Sequence, residues 1–89
     1  MSIEQFEQQL INDGYSQIMI HEDPPDREYP DHDHPIDTAY VVVEGTMVVR
    51  MDGTERTVKQ GERLDIGKNV MHWAKIGSEG CKFLIGVRM

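Results

Sequence analysis

The chain of 89 residues has one cysteine, Cys81, so no disulfide can close within it. No apolar run approaches the roughly 20 residues that cross a bilayer as a helix. The N-terminus lacks the basic-then-apolar pattern of a secretory leader. These absences lead us to expect a reducing, cytoplasmic setting and no membrane partner. Positive charge is scarce: 9 Lys and Arg face 16 Asp and Glu, for a net charge of −7. The sequence pI is about 4.9. No run of Lys and Arg is present, so a nucleic acid partner is not expected, because polyanions attract basic surfaces. Phosphate-cradling glycine loops, a Gly-x-Ser-x-Gly elbow and internal repeats are also missing. The length fits a single domain over residues 1–89 with one small core, for which oligomerisation is a natural support.

What is present reads as one helix followed by strands. Within residues 2–13, Ser2 and Gln5 form a capping-box pair, and Ile3, Phe6, Leu10 and Ile11 recur at helical spacing. Gly14 is the stop signal. This apolar stripe is expected to cover one end or edge of the following β-structure, residues 15–89. Tyr15 to Glu22 alternates as a strand. If Ile18 and Ile20 mark its core face, then His21 faces solvent. From Asp23 to Asp33, Pro24, Pro25 and Pro30 forbid a regular helix and argue against a central strand. The acids between Glu22 and Asp37 outnumber a lone Arg27 and read as a solvated, negative rim.

Further on, Val41 to Val43 and Val48 to Val49 favour β-structure, with a turn or bulge at Glu44-Gly45. Asp52-Gly53 predicts a two-residue hairpin between strands Thr46–Met51 and Thr54–Lys59. Gln60-Gly61 turns the chain again before a short strand, Glu62–Ile66. A strand from Val70 to Ile76, a turn at Gly77 to Gly80 and a last strand from Cys81 to Val87 complete the pattern. Short strands at regular intervals with glycine turns mean an all-β sandwich or barrel.

The stretch YPDHDHPIDTAYVVVEG, residues 29–45, organises the rest. His32 and His34 are two residues apart, so on a strand both imidazoles share a face and can hold one metal ion. Asp31 and Asp33 then point the other way. His72 lies far downstream, on one strand face with Val70, Ala74 and Ile76. A barrel that sets His72 opposite His32 and His34 gives a three-imidazole site with coordination positions left for a ligand. Such a set suits Zn, Fe, Ni, Mn or Cu. Tyr40, Met47, Met51, Trp73 and Phe83 are the large side chains nearby and are expected in the core or at a subunit seam. Trp73, of opposite parity to His72, points away from the site. Cys81 reads as a small buried residue.

Residues His32 to Gly45 resemble the first cupin motif, and Gly61 to His72 (GERLDIGKNVMH) resemble the second. Gly67 and Asn69 stand where that motif usually has Pro and Gly, and Asn tolerates the left-handed backbone such a turn needs. The resemblance implies a small double-stranded β-helix, or jelly-roll barrel, with a short N-terminal helix added. It also implies a divalent transition metal held by the first-motif histidines, a first-motif glutamate and the second-motif histidine. His32, His34 and His72 match three of these positions. The glutamate position falls on Thr38, with Asp37 one residue away, so Asp37 is a candidate fourth ligand. Tyr40 shares the parity of Thr38, and both are candidate pocket residues. Two functions follow as expectations. One is a metal-dependent cupin that binds a small molecule, with dioxygenase, isomerase or lyase chemistry open. The other is a non-catalytic ligand-binding or sensor module, with or without metal. On either function a homodimer is expected, because so short a barrel leaves sheet edges and apolar area to cover.

Overall fold

Two long antiparallel strands carry the architecture. The computed structural model describes residues 2–89, in the order α1 (Ile3–Asn12), β1 (Ser16–Asp23), β2 (Glu28–His32), β3 (Asp37–Met51), β4 (Thr54–Val58), β5 (Arg63–Ile66) and β6 (His72–Arg88). β3 and β6 pair along their whole lengths, from Asp37 opposite Arg88 to Met51 opposite His72. The short strands line the two outer edges of this ribbon. β1 and β2 pair with successive halves of β6, and β5 and β4 with successive halves of β3, all antiparallel. The ribbon bends on itself to give a jelly-roll barrel with one added helix, as expected.

The bend lies where turns were expected, but it breaks neither strand. Val43 is an extra residue in β3, and the four residues Gly77 to Gly80 lie opposite Thr46 alone. The expected turn at Gly77 to Gly80 is therefore a wide bulge inside β6. The register mismatch lets one strand turn the corner while remaining paired on both sides of it. The Asp52-Gly53 hairpin forms as read, with φ of 52° and 73° at the two turn residues. Asn69 adopts the left-handed backbone, φ 62°. Pro30 is accommodated because β2 is an edge strand, bonded to β6 on one side only.

The barrel has apolar residues on both faces. Inside lie Val42, Met47, Val49, Val58, Leu64, Ile66, Ile76, Cys81 and Phe83. Outside, Phe6 and Leu10 of α1 pack with Tyr15 on Ala39, Val41 and Leu84. The Ser2–Gln5 capping box is formed in both directions. Ile11 departs from the expected stripe and stays about half exposed, since the helix rests on the sheet through Ile3, Phe6 and Leu10.

Candidate metal centre and cavity

β2 and β6 bring the histidines together. His32 is the register partner of His72 across that pair, and His34 follows two residues beyond His32, past the strand end. Their rings lie 4.2 Å apart for His32 and His72, 4.9 Å for His32 and His34, and 5.3 Å for His34 and His72. One nitrogen from each lies within 4.8 Å of the others. Asp31 and Asp33 are exposed, as the alternation requires.

Hydrogen bonds on the far side of two rings fix which nitrogen is free. His32 Nδ1 lies 2.7 Å from the Pro30 carbonyl, and His72 Nδ1 lies 2.9 Å from the Val70 carbonyl. A carbonyl only accepts, so each Nδ1 carries the proton and each Nε2 keeps its lone pair. His72 is buried, and its Nε2 has no hydrogen-bond partner among the described residues. An orphaned buried acceptor costs about 1–3 kcal/mol, so such an atom calls for a partner. His34 is held below the ordinary histidine pKa, first by burial and then by the neighbouring imidazoles His32 and His72. That keeps it neutral, the form that ligates. By donor type, tautomer and spacing, the trio fits a divalent transition metal.

Asp37 is not brought into this group. Its carboxylate accepts the Lys68 amide at 2.9 Å and pairs with the Arg88 guanidinium at 3.2 Å. These two contacts, the amide first, hold its pKa below the usual carboxylate value. Thr38 is buried, and its hydroxyl donates to the Ile36 carbonyl at 3.3 Å. It does not line the cavity, whereas Tyr40 does.

The trio opens into a cavity of about 500 Å³, a usual size for a small-molecule site. Its walls are mostly apolar, including Met19, Met47, Val49, Ile76 and Phe83, with Tyr29, Tyr40 and His21 among them. Burial pushes the Tyr40 phenol upward. Tyr29 is pushed up to about 12, by burial first and then by its hydrogen bond to Asp23. Trp73 is not part of the lining. Its indole N–H donates to Glu28 at 2.9 Å and its ring lies under Arg50.

His21 is exposed, as expected, with its side chain 44% accessible, and it also borders the open cavity. Met19 and His21, both exposed, border the cavity, whereas Ile20, about half exposed, does not. Ile18 packs beneath the helix, so the apolar parity of β1 marks the outer layer and not the inner wall. Asp23, read as part of the solvated rim, is instead fully enclosed and bonded to His21, Arg27 and Tyr29. Only the shared parity of His21 and Asp23 in the sequence hinted at this pairing.

A family model for the cupin domain matches residues 19–86. A cupin-2 domain protein from Shewanella frigidimarina is 27% identical, with 85% of this chain and 72% of that one covered and a TM-score of 0.71. A protein from Neisseria meningitidis is 28% identical, with 85% and 75% covered and a TM-score of 0.70. The DMSP lyase DddQ from Ruegeria pomeroyi is 20% identical, with 81% and 37% covered and a TM-score of 0.74, a likeness of fold alone. No curated protein matches the chain.

Proposed function

The chain belongs to the cupin domain family, and on that premise we propose that it holds a divalent transition metal on His32, His34 and His72 and binds a small molecule in the adjoining cavity. The observation that carries this reading is the buried, unpartnered Nε2 of His72, which shares its surroundings with two other imidazoles. When bound, Zn, Fe, Ni, Mn or Cu there supplies a Lewis acid or a substrate-binding centre. The chain's own contribution is to fix the tautomers through the Pro30 and Val70 carbonyls and to keep water from the ligand with apolar walls. Turnover of dioxygenase, isomerase or lyase type is compatible with such a site. Elemental mass spectrometry of untagged, chelator-free protein tests the reading. Near-stoichiometric metal that is absent from His32→Ala/His72→Ala supports it, and a wild type that refuses added Fe, Mn, Ni and Zn overturns it.

A second reading, a metal-free binding or sensor module, draws on the apolar character of the walls, which can hold a ligand by burial alone. It requires that His72→Ala leave ligand affinity intact. We also propose a homodimer in a cytoplasmic setting. β1, β4 and β5 each pair on one side only, Ile20 on β1 is exposed, and the free thiol Cys81 suits a reducing compartment. Light scattering that finds a monomer at micromolar concentration removes the dimer.

A further inference from the structure

Asp23 is the one buried acid among the described residues. Its carboxylate accepts the Tyr29 hydroxyl at 2.5 Å, sits 2.9 Å from His21 Nε2 and pairs with Arg27 at 3.2 Å. A carboxylate that takes the Tyr29 hydroxyl and the Arg27 guanidinium acts as acceptor throughout, so the contact to His21 is an Nε2–H donating to Asp23. In the neutral ring the lone pair then resides on Nδ1. The ring itself leans on Phe83, with centroids 5.3 Å apart, and lines the cavity.

We propose that His21 is the proton-accepting group of the cavity and that Asp23 is its positioning residue. The inventory of the walls leads there. The titratable side chains lining the cavity are His21, Tyr29, Tyr40 and the histidine trio, with no Asp, Glu, Lys, Arg or Cys among them. The trio is taken by the metal on the reading above, on which this inference rests. Tyr29 donates its proton to Asp23, and Tyr40 is a phenol, protonated at neutral pH. His21 remains. Asp23 does for it what a carboxylate does for a catalytic imidazole elsewhere: it selects one tautomer and orients the ring.

The walls also define the substrate class. Without a lining cation or carboxylate, the cavity favours a compact, uncharged, largely apolar molecule. It needs one oxygen donor toward the trio and an acidic C–H toward His21. In the step, the Nδ1 lone pair forms a bond to that hydrogen while the C–H electron pair remains on the substrate, delocalised onto the oxygen. Return of the same proton to another carbon completes an isomerisation with no oxidant or reductant.

The test uses zinc-loaded protein and 4-nitrophenacyl bromide, an apolar electrophile that a free imidazole nitrogen attacks with loss of bromide. We expect one label, on His21, placed about tenfold faster than on histidine in a short peptide because the cavity concentrates the reagent. His21→Gln should keep its zinc and lose the label. Long-range proton–nitrogen NMR at pH 8 should find the His21 proton on Nε2, and Asp23→Asn should mix the tautomers and slow labelling. His21 labelled no faster than the peptide, or its proton on Nδ1, overturns the proposal. The wild-type tautomer stands as a test even if Asp23→Asn does not fold. Zinc content is read separately, so a labelled His21 in protein that binds no zinc overturns the metal reading and not this one.

Discussion

The Asp37 carboxylate ties together the two segments that carry the histidines. It accepts the Lys68 amide at 2.9 Å, three residues after His34 in one segment and four before His72 in the other. The Asn69 amide donates to the His34 carbonyl at 2.7 Å and makes a second tie between the same segments. The acid nearest the family's glutamate position thus acts on the spacing of the trio from outside it.

Asp37→Asn should therefore leave metal stoichiometry unchanged and lower the melting temperature by a few degrees at pH 7. The sign with pH follows from the depressed native pKa. Its contribution is complete above the unfolded carboxylate value near 3.8 and is lost as pH falls through the lower native value. Melting curves of the two proteins should converge at the acid end. Loss of metal in the variant, with the fold intact, would instead make Asp37 a ligand.

His72→Leu separates a metal ligand from a core histidine. The substitution removes the orphaned Nε2 along with the bond to Val70, two effects of opposite sign and each of about 1 kcal/mol or somewhat more. Metal-free stability should change by less than about 1 kcal/mol in urea unfolding, whereas the rise in stability on adding metal should vanish. A metal-free loss of several kcal/mol would mark His72 as a structural hydrogen-bonding residue.

His34 gives the metal-free protein a slope with pH. Its native pKa lies below the ordinary histidine value of 6.5, so beneath that pH the unfolded chain binds more protons than the native one. Stability on this account is full above 6.5 and falls as pH drops toward the native value. His34→Gln should flatten that part of the profile in urea titrations between neutral and mildly acidic pH. An unchanged slope would place the proton uptake on another group.

The histidine trio was legible because the alternation that sets His32 and His34 to one side carries on in the burial of Asp31 to His34, even though β2 itself ends at His32. The hairpin at Asp52-Gly53 and the capping box at Ser2 were legible because local chemistry decides them. The place of His21 beside the cavity was not. A strand in this barrel has two apolar sides, one beneath α1 and one along the cavity, so alternation alone does not say which is inside. The cavity wall is also not a packed aliphatic core: it is bordered on β1 by Met19 and His21, both of them solvent-exposed. The Asp23 contacts depend on how the loop after β1 folds back, which no periodicity encodes. The bend at Gly77 to Gly80 read as a turn because glycine marks both, and only the register against Thr46 tells them apart.

That bend is the most demanding backbone in the chain, and glycine substitution measures how demanding. Gly45 has φ 82°, and a Cβ there would lie 2.0 Å from the Gly80 carbonyl oxygen. Gly53, at the hairpin, has φ 73°, and a Cβ there would meet nothing within 4 Å. Both alanine variants carry the left-handed cost of about 1–2 kcal/mol. Only Gly45→Ala must also push the two long strands apart, where the obstacle is backbone and cannot rotate away. Its total should exceed that of Gly53→Ala by about 2 kcal/mol or more, in the range of severe core lesions. Because β3 and β6 carry Tyr40 and His72 on either side of the bend, Gly45→Ala should also weaken metal retention, whereas Gly53→Ala should leave it untouched. Equal losses of stability in urea would mean that the corner relaxes freely and that the close approach of Gly45 to Gly80 is not what holds the ribbon bent.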